Sequence, residues 1–269
     1  MNPIIMYGKP VAEKIRQTIK EKIATKNYTL AILLIGDDPA SQVYLQRLEK
    51  TAQLVGAAIK KIILPATTTQ QEAEALLENL NKDDTIQGIM PLMPFPQHLN
   101  AKQFCDKLAP EKDVDCLSPR NAGEVFLGTN KWAPCTPRSC LAILQFYGIT
   151  LAGKQVVVLG RSNVVGKPVA LLLLEQNATV TVCHSKTKNL PAILAGADVI
   201  VAALGKAEFV KGNMVKDGVV IVDVGINLID HKLVGDVAPD AYAKSSAYTP
   251  VPGGVGVVSN SMVLEALVK

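Results

Sequence analysis

The sequence predicts an α/β protein built from two parallel-sheet domains. Strand-like and helix-like segments alternate from end to end, and no internal repeat or low-complexity tract interrupts them. A length of 269 residues with 48% hydrophobic content favours two modest cores over one large one.

In the first half, TLAILLIG (29–36), AAIKKIIL (57–64) and TIQGIM (85–90) read as strands, and apolar spacing places helices at about 9–25, 40–55 and 69–80. Within the second of these, SQVYLQRLEK (41–50) sets Ser41, Tyr44, Leu45 and Leu48 on one face, a mixture of polar and aliphatic groups. In the second half, KQVVVLG (154–160), ATVTVC (178–183), ADVIVAA (197–203) and GVVIVDVG (218–225) repeat the strand pattern. The boundary falls near APCTPRS (133–139), where two prolines precede the helical run SCLAILQFYG. The tail SNSMVLEALVK follows the glycine-rich PVPGGVG (250–256) and is helix-like, so it can fold back on the first unit. The expected domains are therefore 1–136 plus 253–269, and 137–252.

Composition narrows the function classes. Net charge is +4, aromatics make up 4%, and the basic residues are dispersed, which gives no stacking or phosphate-tracking surface for nucleic acid. Apolar runs such as PVALLLLE (168–175) are too short to cross a bilayer, and the first residues lack the regions of a secretory signal. A cytoplasmic location is expected. Five cysteines (Cys105, Cys116, Cys135, Cys140, Cys183) form no CxxC pair and fit reduced thiols; His98, His184 and His231 show no metal spacing, and no metal site is expected. The partner expected on these grounds is a small molecule.

The most informative stretch is VVVLGRSNVVGKPVALLLL (156–174), an apolar strand, a turn carrying Gly160 and Gly166, and a helical run. Such a turn lets backbone N–H groups and a helix N-terminus meet a pyrophosphate. It departs from GxGxxG, with Ser162 at the second glycine position and Val165 at the third. The next strand ends at VCHSK (182–186) without the acid that would hold an NAD ribose, while Arg161, Ser185 and His184 suit a ribose phosphate. NADP is favoured over NAD.

Taken together, YGKPVA (7–12), GDDPASQVY (36–44), APEKDVDCLSPRNAG (109–123), PCTP (134–137), GRSNVVGKPVA (160–170), HSKT (184–187), DVGIN (223–227), GDV (235–237) and TPVPGGVG (249–256) resemble the methylenetetrahydrofolate dehydrogenase/cyclohydrolase (FolD-type) family, in its order and over nearly the whole chain. The resemblance implies two α/β domains flanking a cleft, the second a Rossmann-like NADP-binding domain, a tetrahydrofolate one-carbon derivative as substrate, and a homodimer. It implies oxidation of the methylene folate to the methenyl form by hydride transfer, followed by hydrolysis to formyl folate. Carried over by position, Tyr44 and Asp115 are the catalytic candidates, the first facing substrate and the second holding the pterin. Ser41, Pro252 and Gly253 join them as substrate contacts. Thr136, Gly160, Arg161, Ser162, Gly166, Ser185 and Ile226 are the implied cofactor contacts.

Two departures matter most. The family's catalytic lysine, four residues after the tyrosine, is here Leu48, and its glutamine in the stretch aligned with GIMPLMPFP (88–96) is Leu92. The pairing is coherent, since an amide left in a dry site without its ammonium partner would cost about 1 to 3 kcal/mol, whereas two leucines can pack together. Arg47 can lean toward the same face but does not give up a proton near neutral pH, and Lys50 points elsewhere. Smaller departures are Cys116 for a glycine after DVD, Ser139 for a glycine after PCTP, and VVS (257–259) for the usual PMT. The expectation is an NADP-dependent dehydrogenase with weak or absent cyclohydrolase activity. The alternatives are a bifunctional enzyme with a substitute proton donor, a non-catalytic folate- and nucleotide-binding relative, and an unrelated Rossmann oxidoreductase.

Overall fold

The computed structural model describes residues 2–24, 26–129 and 132–268. Expected segments that include Thr25, Asn130, Lys131 or either terminal residue lie, at those positions, outside the described residues. In chain order the elements are β1 (Ile4–Ile5), α1 (Gly8–Ile23), β2 (Thr29–Ile35), α2 (Pro39–Val55), β3 (Ala58–Leu64), α3 (Gln70–Lys82), β4 (Gly88–Pro91), α4 (Ala101–Asp106), α5 (Pro119–Phe126) and α6 (Cys135–Phe146). They continue with β5 (Gln155–Leu159), α7 (Gly166–Glu175), β6 (Thr179–Cys183), α8 (Leu190–Ala195), β7 (Val199–Ala202), β8 (Val220–Asp223), β9 (Asn227–Ile229), β10 (Lys232–Val234), α9 (Pro239–Lys244), β11 (Ala247–Tyr248) and α10 (Val255–Leu267). The chain divides into two compact units, Lys14–Cys135 with Asn260–Lys269, and Met1–Glu13 with Thr136–Ser259.

The unit of residues 14–135 and 260–269 holds a parallel sheet in the order β3-β2-β4. Its central strand β2 is apolar and buried from Leu30 to Ile35, as expected for a strand covered on both faces. Ala31, Leu33 and Ile35 pack with Leu77, Ile89 and Phe104 in one core. Helix α2 starts where Asp38 accepts the Ser41 N–H at 2.8 Å and Pro39 occupies the first turn, and it stops at Gly56, whose φ of 84° suits a residue without Cβ. A reciprocal cap between Thr69 and Glu72 starts α3.

The unit of residues 1–13 and 136–259 holds an all-parallel sheet in the order β1-β11-β8-β7-β5-β6. Val157, Leu159, Ile200, Ala202 and Ile221 face Leu194, Val210 and Ala241 in its core. The chain leaves β5, pairs β6 on one side and then returns to pair β7 on the other, so the strand order reverses between β5 and β7. That reversal opens the crevice in which doubly wound sheets take their ligands.

Several boundaries differ from expectation for local reasons. Strand β4 starts three residues late because Thr85 and Ile86 are drawn into a turn by Asp83. Helix α6 starts at Cys135, ahead of the expected run, since Pro137 falls in a first turn that needs no N–H from it. Residues 1–13 and the loop through Gly253 belong with the larger sheet: β1 pairs β11, and Gly8 N–H donates to Gly253 O at 2.8 Å. The hairpin β9–β10 was not anticipated; its turn uses Asp230 and His231 at positive φ, without a glycine to announce it. No helix among the described residues is long and apolar enough to cross a membrane.

Candidate active site

In the three-stranded unit the order also reverses, with β3 and β4 on opposite sides of β2, and α2 begins just beyond the carboxyl end of β2. This brings together most of the expected substrate-side residues. Ser41 is buried and its hydroxyl donates to Met93 O at 3.3 Å, fixing the first turn of α2 to the segment after β4. Tyr44 follows one turn later and is half-buried. Its surroundings push the phenol well above its ordinary range, first through burial and then through Cys135 and Asp115. The phenol therefore stays protonated near neutral pH.

The segment Asp113–Ser118 runs beside β4, with Ile89 N–H donating to Lys112 O at 2.7 Å. Its two aspartates have different jobs. Asp113, 1% exposed, accepts from the N–H groups of Leu117 and Ser118 and from the Asn121 amide, and so shapes the loop. Asp115 is half-buried and accepts the Cys135 N–H at 2.7 Å, which orients it at the end of the same segment. EKDVD is thus an ordered loop and not a solvated charge run. Cys116 sits at φ 52°, the left-handed region where a glycine is at ease, which accounts for the glycine the resemblance implies there. Burial pushes the Cys105 thiol to about 11 and Cys140 to about 12, so neither is a nucleophile at neutral pH.

Leu48 is wholly buried on α2, one turn beyond Tyr44, and Leu92 is 3% exposed just past β4. Both positions are interior and apolar. Arg47 and Lys50, the basic neighbours on α2, are exposed.

In the other unit Gly160 follows β5 with φ 117°, and a Cβ there would overlap the carbonyl oxygen of Ala203 at the end of β7. A Cβ on Gly166 would overlap the carbonyl of Gly160. The displaced third glycine is therefore required for the turn to close on α7, as the standard spacing would be. Ser162 serves that turn, its hydroxyl oxygen accepting from Val165 N–H at 3.1 Å and Gly166 N–H at 3.3 Å. Arg161 and Ser185 are exposed at the ends of neighbouring strands β5 and β6. His184 accepts the Lys186 N–H on Nδ1 at 3.2 Å, so it shapes the turn after β6. Thr136 stands half-buried in the first turn of α6, and Ile226 is 61% exposed beyond β8. Pro252 and Gly253 belong to this unit and not to the one carrying Tyr44 and Asp115. Among the described residues no group of three or more His, Cys, Asp or Glu side chains could hold a metal ion.

Sequence reasoning passed over two buried carboxylates, Asp223 and Asp236, in the unit with the larger sheet. Their Asp-x-Gly and Gly-Asp contexts signalled tight backbone around an acid, a pattern visible in DVGIN and GDV.

A glycine turn at the reversal of a parallel sheet, on one chain with a second α/β unit that gathers Tyr44 and Asp115, defines a dinucleotide-using class with a separate catalytic unit. Comparison with known proteins agrees. The family description Tetrahydrofolate dehydrogenase/cyclohydrolase, catalytic domain, matches residues 6–115, and the NAD(P)-binding domain of that family matches 134–269. The Bifunctional protein FolD of Geotalea daltonii is 47% identical over 97% of this chain and 95% of its own length. The solved structure of the FolD enzyme of Campylobacter jejuni superposes with a TM-score of 0.95 at 40% identity, covering 98% of this chain and 96% of that one. The Trypanosoma brucei enzyme, solved with NADP and an inhibitor, gives 0.95 at 34% identity, covering 100% and 97%. The chain belongs to the tetrahydrofolate dehydrogenase/cyclohydrolase family.

Proposed function

We propose that this protein is an NADP-dependent 5,10-methylenetetrahydrofolate dehydrogenase in which cyclohydrolase activity is weak or lost. The observation that carries the separation of the two activities is the burial of Leu48, with Leu92, at the positions where the family places a lysine and a glutamine. The relatives named bifunctional favour the alternative in which both activities persist. The third reading is a folate- and nucleotide-binding relative without turnover.

The glycine turn fits a dinucleotide, because Gly160 and Gly166 leave backbone where any Cβ would intrude. Exposed Arg161 and Ser185, with no acid at the end of β6, suit the additional phosphate of NADP. When bound, NADP supplies the hydride acceptor. Oxidation then asks the chain to bind, orient and exclude water, with no side-chain proton transfer at the reacting carbon. Tyr44 donates a hydrogen bond toward the folate, and Asp115, fixed by the Cys135 N–H, receives the pterin. Thr136, Ser162 and Ile226 belong to the cofactor reading and Ser41 to the folate reading, while Pro252 and Gly253, substrate contacts by resemblance, lie in the cofactor-binding unit.

Hydrolysis asks for more, since a water must lose a proton as it attacks the methenyl carbon. Leucine offers no such group at either altered position, and Arg47 holds its proton too firmly to substitute. Tyr44, with its phenol pushed upward, is a poor base as well. Family membership also supports a homodimer, and a cytoplasmic location goes with the same reading.

The test follows methylenetetrahydrofolate with NADP, recording reduced cofactor and methenyl product separately. Reduced cofactor formed at a normal rate, with methenyl decay no faster than without enzyme, is the expected result. Rapid enzyme-dependent hydrolysis would establish the bifunctional alternative. Binding of both ligands without reduced cofactor would leave only the non-catalytic one.

A further inference from the structure

Two buried carboxylates at the carboxyl end of the larger sheet take no part in the chemistry above. Asp236, with no exposed surface, accepts from the N–H groups of Leu204 and Gly205 at Oδ2, and from Lys206 N–H and the Asn227 amide at Oδ1. One side chain thereby ties the segment leaving β7 to the segment leaving β8, which carries Ile226. Asp223 stands behind it at the end of β8. Its Oδ1 accepts from Gly225 N–H and Asp236 N–H, and its Oδ2 from Val237 N–H and, at 2.6 Å, the Tyr242 hydroxyl. The Asp223 backbone also exchanges hydrogen bonds with the Thr249 hydroxyl, at the start of the TPVPGGVG loop.

There is no slack in this arrangement. A Cβ on Gly225 would overlap the Asp236 carboxylate, and one on Gly235 would overlap that of Asp223. Pairing of Ala202 with Asp223 already holds β7 against β8, so the carboxylates add constraint only beyond the strand ends. That is where open parallel sheets bind their ligands.

We propose that Asp236, backed by Asp223, is a positioning residue for the dehydrogenase reaction, setting the segments Leu204–Lys206 and Gly225–Asn227 against the nicotinamide end of the cofactor. The inference rests on the reading that NADP binds this unit. Asp236 touches neither reactant and acts through Ile226 and the backbone of the segment after β7. A neutral amide in its place keeps the shape but turns one acceptor into a donor facing N–H groups, which pushes those segments apart.

The test compares wild type with Asp236→Asn and with Asn227→Ala, the second removing only the tie between the two segments and leaving the buried pair intact. NADPH binding is titrated by fluorescence, and KM for cofactor and folate are measured separately from kcat. The proposal expects cofactor KM to rise about tenfold in both variants, with kcat reduced severalfold and folate KM within twofold of wild type. Asn227→Ala should keep the wild-type melting temperature. Wild-type cofactor KM and kcat in Asn227→Ala would overturn the proposal even if Asp236→Asn does not fold. Parallel loss of both KM values would overturn it too, as a merely architectural effect. If wild type itself fails to bind NADPH, the functional reading fails and this inference with it, an outcome distinct from binding that the variants leave unchanged.

Discussion

Leu48 and Leu92, buried on α2 and just past β4, are the residues at which the proposed separation of the two activities is tested. A lysine introduced alone at the wholly buried Leu48 position must shed its proton or carry a charge out of water, with a penalty on the order of 3 kcal/mol or more. Leu48→Lys is therefore expected to lower the denaturation midpoint. The double variant Leu48→Lys/Leu92→Gln should recover about 1 kcal/mol of that loss and gain methenyl hydrolysis, measured by chemical denaturation and by methenyl decay. A double variant that hydrolyses no faster than wild type would show that positions 48 and 92 do not govern hydrolysis. Arg161 offers a second residue-scale expectation. Arg161→Ala should raise the KM for NADP about tenfold and leave that for NAD nearly unchanged, because only the former carries the extra phosphate. Equal effects on both cofactors would place the phosphate elsewhere.

At the scale of elements, the turn between β5 and α7 is set by contacts that only glycine permits. Gly166→Ala drives a methyl group into the Gly160 carbonyl, and is expected to cost about 1 to 3 kcal/mol and abolish the thermal shift produced by NADPH. A variant that melts and binds like wild type would show that the turn has room to relax. The end of β8 carries a pH signature. Burial raises the Asp223 carboxyl from 3.8 to about 6, against the opposing pull of the Tyr242 hydroxyl and of the Asp236, Gly225 and Val237 N–H groups. The folded state therefore keeps this proton when the unfolded chain has released it, and stability falls as pH rises from about 4 to about 6, by about 3 kcal/mol for this group. Asp223→Asn should flatten the melting temperature over that window. An unchanged slope would assign it to other carboxyl groups.

At the scale of the whole molecule, the strand pattern of both units was visible because buried parallel strands are long apolar runs, such as VVVL in β5 and AILLI in β2. The edges were less visible. Strand β1 spans only Ile4–Ile5, and its pairing with β11 depends on a segment more than two hundred residues away. Strand β6 lies at the opposite edge, with Val182 39% exposed, and the proposed homodimer is tested by mass. Light scattering should return twice the chain mass of 28.7 kDa, and a single-chain mass at micromolar concentration would exclude the dimer.

The sequence by itself determined the alternation of elements, the glycine turn, the absence of an acid after β6, and leucines at 48 and 92 where the resemblance implies polar groups. These are legible because they follow from local periodicity, from backbone sterics and from the chemistry of single side chains. Only the tertiary structure decided that Asp113 shapes its loop while Asp115 takes the Cys135 N–H, and that Ser162 caps its own turn. It alone grouped the first thirteen residues with the larger sheet and joined Asp223 to Asp236 beneath two loops. Which of two nearby carboxylates meets which N–H is fixed by groups distant in sequence and brought close by packing, and no spacing along the chain encodes that meeting.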